Sequence, residues 1–517
     1  MRRILRPLED GWEWLMGADP GQLRIAFALR LALMATITVL GLIGIGLWGR
    51  MPIGAIGLGF MIAQFNAGAV RDPTRWGQAL TTVVVALAGL AGATLASLIA
   101  PWPVGSDVML VALVFAATAA HAAGPRAMAA GMLGFIGFYL NLIIQVKLAE
   151  VPFEVAAAAY AACVALLVRL VILPERPGHS LPRVLRSVRR QAARLLEAVI
   201  AVTDAGGGHG WSQRLTRRSA RLEEAIEAVE DQIERLGGSP AEHGWNRLSM
   251  ELEDLQTHVL RIARLCRPGK AAAPHPRFVG GMAHAIAALG LSAPEHRVQA
   301  AGGTLPADHD DALTRLAGAI ERLPTRPRAI LAAARERVAA PVTDDDAAKP
   351  TASAAEPWPA RLLALLRQPV QVAVATGAAI AAGHAVSGQR WYWSVLAVFI
   401  VFAGTASRTT TLTKAAQRVL GTLLGVGAGI LIAEAVLGDP KLIVALALVC
   451  DVIAFYAFQT AYGVMIFWIT IMIALLYGLL GAFRPELLAI RFDETAVGAA
   501  AGIIVALTLL PRRTSDE

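Results

Sequence analysis

The residues best placed to do chemistry are few, and most are charged groups in apolar surroundings. Asp451 lies inside "LIVALALVCDVIAFYAF", where a carboxylate is costly unless it meets a cavity or a polar partner. It could carry a proton or bind a cation; a structural pair across a helix seam accounts for it equally well. Arg408 and Arg418 flank the start of another apolar run. A guanidinium takes a carboxylate through two parallel hydrogen bonds, so both are candidates for binding an organic anion. The alternative is ordinary anchoring of the chain at a membrane surface. Trp391, Tyr392 and Trp393 stand together before a further run. They could stack on an aromatic substrate or form an interfacial aromatic belt. His121 and His384 sit near run ends and read as satisfied by backbone. Arg491, Asp493 and Glu494 read as an interfacial ion cluster capping the last helix. Gln64 and Asn66 could be polar glue between helices or line a path. Glu434, near the end of its run, reads as solvated.

The glycines of "AAQRVLGTLLGVGAGILIA" (415–433) raise a separate possibility, a phosphate-cradling loop. A dinucleotide fingerprint fails, because Gly425 and Gly427 are followed three residues later by Ile430. No Lys-Ser or Lys-Thr follows to make a phosphate loop. Gly421, Gly425 and Gly429 do share one helix face, which predicts close approach of a second helix. No nucleophile–base pair, metal cluster or cofactor site emerges, so the chain does not read as an enzyme.

The elements that must position these groups are membrane helices. The 517-residue chain is 56% hydrophobic and 17% charged, with mean hydropathy +0.55. A soluble chain carries about 25% charged residues. The net charge of +8 fits Lys and Arg gathered on a cytoplasmic face better than it fits nucleic-acid binding. Cys163, Cys266 and Cys450 are too far apart for a metal or disulfide spacing. Apolar runs fall near 25–47, 52–70, 78–100, 106–123, 126–146 and 153–173, and again near 369–386, 391–406, 418–437, 441–458, 460–482 and 492–511. The expected fold is therefore all-α: two six-helix transmembrane blocks, 25–174 and 369–511, with a short lead-in (1–24), a polar insert (175–340), a Pro/Ala/Asp-rich linker (341–368) and a tail (512–517). Trp12 and Trp14 in the lead-in suit the lipid headgroup level. Arg71, Arg75, Arg126, Arg408, Lys414 and Arg418 fall in the same set of alternate loops as the termini, which predicts a cytoplasmic side for both termini and the insert.

A shift of 337 residues places Arg30 on Arg367, Arg71 on Arg408, Pro174 on Pro511 and Arg176 on Arg513, the signature of a parallel repeat. The insert carries heptads. Leu181, Val188 and Leu195, Leu222, Val229 and Leu236, and Leu248, Leu255 and Ile262 each recur every seven residues. They predict three helices packed along their lengths as a coiled coil, within one chain or between subunits.

Three segments, "RWYWSVLAVFIVF" (390–402), "AAQRVLGTLLG" (415–425) and "RFDETAVGAAAGIIVALTLLP" (491–511), together resemble the fusaric acid resistance and aromatic acid exporter family. The first block is similar in plan only; its "RDPTRWGQALTTV" lacks the Gly-Thr. The resemblance implies a bacterial inner-membrane permease that moves aromatic carboxylates or related organic anions out of the cytoplasm. It also implies a possible periplasmic adaptor, alongside the lipid bilayer and a possible homo-oligomer as partners. A passive organic-anion channel and a non-transporting scaffold acting through the insert are the competing expectations.

Overall fold

The computed structural model describes residues 19–49, 51–70, 72, 74–174, 177–204, 211–235, 243–266, 276–290, 305–323, 358–387, 391–402, 408–436, 438–458, 461–479 and 484–509. Every regular element among them is helical. The chain divides into two compact units, residues 24–175 with 350–517, and residues 1–23 with 176–349.

The larger unit holds α1 (Leu23–Gly49), α2 (Ile53–Ala69), α3 (Arg75–Ile99), α4 (Pro103–Ala119), α5 (Pro125–Ile144) and α6 (Val151–Leu167). Five helices of the polar unit intervene. Then come α12 (Trp358–Ser387), α13 (Tyr392–Phe402), α14 (Arg408–Val436), α15 (Pro440–Ala457), α16 (Tyr462–Leu479) and α17 (Pro485–Thr508). Eight candidate spans, on α1, α3 to α6 and α14 to α16, are long and apolar enough to cross a membrane. The apolar α2 and α13 are shorter, at 17 and 11 residues. At about 1.5 Å per residue α13 covers about half of a 30 Å hydrocarbon core.

Local sequence explains many starts. Proline opens α4, α5, α15 and α17, where its missing N–H costs nothing. Thr74 caps α3 by accepting from the Gly77 N–H at 3.0 Å, and Asp439 caps α15 through Lys441 and Leu442. At the end of α6 the helix widens into a π segment, Val168–Ile172. This segment holds the fully buried Arg169, whose guanidinium donates to the Asn66, Ala67 and Val70 carbonyls at the end of α2.

The helix starts repeat. Adding 337 to those of α1 to α6 lands within about four residues of those of α12 to α17; α4 and α5 map onto Pro440 and Tyr462. The pairings repeat as well: α3 packs on α5 as α14 packs on α16, and α2 on α6 as α13 on α17. A core shared by both halves joins α3, α4 and α5 to α12, α13 and α17, with Phe135 and Phe399 ring centroids 4.3 Å apart.

Three helices begin well before their apolar runs, among them α14, which starts at Arg408. α12 starts at Trp358, inside the expected linker, and carries Pro369 within its length. α17 starts at Pro485, capped by the Arg484 position, so Arg491, Asp493 and Glu494 lie inside the helix and do not cap it. A proline with a charged residue, Arg361 in α12 and Glu486 in α17, and the polar turn Arg408 to Thr411 in α14 hid these starts.

The smaller unit packs α7 (Pro177–Asp204), α8 (Trp211–Arg235), α9 (His243–Leu265), α10 (Pro276–Ala288) and α11 (Ala307–Arg322). The heptad residues Leu181, Val188, Leu195, Leu222, Val229, Leu248, Leu255 and Ile262 join one core inside one chain. That core also takes Phe278, Met282 and Ile286 from α10 and Leu316 and Ile320 from α11. These two helices are short and show no heptad run. The turn Pro20–Gln22 belongs to this unit; Gly21 has φ +67° and sits against Val184, where a side chain would collide. Burial pushes the Cys266 thiol up to about 11, so it packs as an inert hydrophobe. Trp12, Trp14, Arg71, Leu236 and most of the linker lie outside the described residues.

Candidate functional site

Arg418 lies within α14, nearly three turns from its start, and is 4% exposed. Its Nη1 donates to the Tyr462 hydroxyl at 3.2 Å, while its buried Nε meets no acceptor. Lys414, one turn earlier, lies over the Tyr462 ring at 5.2 Å. Arg491, on α17, is 5% exposed. Its guanidinium carbon is 4.4 Å from the centroid of the Trp393 ring, and its Nη1 is buried without an acceptor. The charges of Arg418 and Arg491 interact, and the phenols of Tyr139 and Tyr477 lie in the same field. The result is two buried like charges, each short of an acceptor, beside aromatic rings.

The surrounding polar groups turn elsewhere. Glu494, fully buried one turn after Arg491, accepts a short hydrogen bond from the Ser394 hydroxyl. Tyr139 donates to the Tyr392 carbonyl at 3.0 Å. That contact brings α5 of the first half against the start of α13 in the second. A carboxylate placed between the two guanidiniums could take their unused N–H groups, and an attached ring would find Trp393 and the tyrosines.

The expected site residues separate. Arg418 and Trp393 join this cluster. Trp391 instead lies against His384, with ring centroids 5.1 Å apart, and His384 Nε2 is 3.4 Å from Asp107 Oδ2. Arg408 opens α14, and its side chain lies outside what the structure describes. Asp451 is 3% exposed and accepts from Gln64 Nε2 at 3.0 Å, across 387 residues of sequence. Neither Arg418 nor Arg491 is among its electrostatic partners. Its Oδ2 and the Gln64 Oε1 are buried without partners. Asn66 bonds its own helix at Ile62.

The three glycines face α16. A Cβ on Gly421 would come 2.6 Å from the Gly463 carbonyl oxygen, one on Gly425 2.8 Å from that of Phe467, and one on Gly429 3.0 Å from the Ala474 Cβ. Gly427 points to open space. The glycines thus hold α14 and α16 close, which sets Arg418 beside Tyr462.

Residues 378–505 match the family model described as fusaric acid resistance protein-like. This block is similar to that family. The matched range contains Arg418, Arg491, Trp393, Tyr462 and Asp451; the contributions of Gln64 and Tyr139 come from outside it. No curated protein and no solved structure matches the chain.

Sequence reasoning did not place Arg491 beside Arg418 and missed Tyr139 altogether. The usable signal for Arg491 was a charge inside an apolar helix. Tyr139 carries no such signal, because its role comes from a contact between distant segments.

Proposed function

We propose that this multi-pass membrane protein exports aromatic carboxylates or related organic anions from the bacterial cytoplasm across the inner membrane. In this reading α1 to α6 and α12 to α17 form two six-helix membrane blocks in parallel repeat, with both termini and the polar unit cytoplasmic. The observation that carries the reading is the buried Arg418–Arg491 pair, short of acceptors and faced by Trp393. Uncompensated buried cations are expensive, and a transient anionic ligand would compensate them. Lys414 and Arg418, one turn apart, would concentrate anions at the cytoplasmic entrance. Asp451, buried against Gln64, is the candidate for coupling transport to the proton gradient. A periplasmic adaptor and self-association are compatible partners.

The test is efflux of labelled aromatic acids from cells with the wild-type chain or Arg418→Gln. Export by the wild type, lost in the variant, supports the reading. Equal retention with and without the chain over a broad panel of acids overturns it. Electrical recording then separates a carrier from a passive channel, which would carry far larger currents.

A further inference from the structure

We infer that Glu154, in the first turn of α6, is a proton-binding site. Glu154 is fully buried, and both of its carboxyl oxygens lack a hydrogen-bond partner. Asn141, near the end of α5, lies within hydrogen-bonding reach of it. The Asn141 amide nitrogen donates to the Ala93 carbonyl at 3.0 Å and reaches the Ser97 hydroxyl at 3.3 Å. A carbonyl only accepts, so the Ala93 bond fixes which end of the amide carries the hydrogens. The other end, Oδ1, is buried and also lacks a partner. Both Glu154 oxygens therefore lie beside an amide whose hydrogens are already given to α3, with no hydrogen bond of their own.

One proton on Glu154 resolves this arrangement. The carboxyl becomes neutral, which removes the cost of a lone buried anion. A neutral carboxyl does not need the donors that Asn141 gives to Ala93 and Ser97. A metal cation would need a fuller shell of oxygens, and the Asn141 nitrogen already holds the Ala93 and Ser97 oxygens. Among the described residues no compensating cation is close. Glu150 interacts with Glu154 and repels it. Lys147 precedes the helix, and Tyr139 and Tyr160 are the other titratable groups on this side of α5 and α6. Arg24, Arg30, Arg75, Arg126 and Arg169 lie toward the opposite ends of their helices. α2 contributes no titratable side chain.

The use of this proton as the counter-ion of export rests on the proposed function; its binding does not. In the expected orientation Glu154 is near the outer face, where an entering proton would bind first.

The full chain in lipid nanodiscs provides the test by infrared spectroscopy, with no substrate needed. At neutral pH the wild type should show a protonated-carboxyl carbonyl band that Glu154→Gln loses. Asn141→Leu should keep that band but shift it to higher frequency, because the amide N–H beside the carboxyl carbonyl is gone. Asp451→Asn marks any contribution from the second buried carboxyl. An unchanged band in Glu154→Gln that still elutes as the folded protein overturns the inference. So does a wild-type band that sodium chloride removes at fixed pH, which would make the site one for sodium. Should Glu154→Gln aggregate, Asn141→Leu decides, and an unshifted band overturns it. Failure of export with the infrared result intact would remove the proposed function and leave the proton site.

Discussion

The two halves of the membrane unit share a framework and differ in charge. Under the 337-residue shift, Glu154 of α6 corresponds to Arg491 of α17, and Thr81 of α3 to Arg418 of α14. In the first half Thr81 is part of a closed network: it donates to Asp72 at 2.6 Å and accepts from Arg126 at 2.8 Å, and Arg126 pairs with Asp72 at 2.6 Å. In the second half the equivalent arginine keeps an unused buried N–H. At these two equivalent positions the first half holds a buried acid and a bonded hydroxyl, the second two buried bases short of acceptors. Helix pairing depends on small residues and apolar contacts, which the repeat retains. Charge at equivalent positions is free to diverge, and its divergence marks the places where ligands are expected.

The sharpest way to break this comparison is to neutralise each half in turn. Arg418→Gln or Arg491→Gln should cost about 2–5 kcal/mol of anion binding, the range for removing one side of a buried charge pair. Export rate and quenching of Trp393 fluorescence by an aromatic acid would both report it. Arg126→Gln in the first half should change either readout by less than about threefold, since its partially exposed ion pair contributes about 0–1 kcal/mol. Equal losses in both halves would undo the assignment of the site to the second. The shared framework predicts the opposite pattern. Gly425→Leu should destabilise by about 1–3 kcal/mol through overpacking against α16. Gly92→Leu, against α5 in the first half, should cost a similar amount, while Gly427→Leu should be near neutral. Thermal melting in detergent measures all three.

Much of the framework was legible because period and hydropathy are local properties. Each apolar run overlaps a helix, and the heptads at Leu181 to Ile262 mark core positions. α10 and α11 were not legible, because one short amphipathic helix does not make a repeat. The site was legible only in part. Arg418 stood out as a charge beside glycines, but nothing local distinguishes Trp393, which meets Arg491, from Trp391, which meets His384. Glu154 resembled an ordinary acid in a helix's first turn. Its meaning lies in Asn141, whose amide is already committed to α3. Such assignments depend on which helices cross, and the sequence encodes that only through packing.

Smaller effects refine the contrast. Trp393→Leu removes a ring over Arg491 without removing charge, and the cation–ring contact is worth about 0.5–2 kcal/mol. Affinity for aromatic acids should fall between twofold and about thirtyfold, and aliphatic acids should lose less. A small effect, on stability alone, is expected at Thr81→Val. The variant keeps the shape of the side chain and the Arg126–Asp72 ion pair, and deletes one hydroxyl that both donates and accepts. Because Arg126 is 44% exposed, water can replace the lost acceptor. The cost should be about 1 kcal/mol of stability, with export unchanged. If Thr81→Val instead impaired export as severely as Arg418→Gln, the two equivalent positions would share a function. The closed network of the first half would then be one state of a site that opens during transport, and the charge difference between the halves would be a difference of conformation.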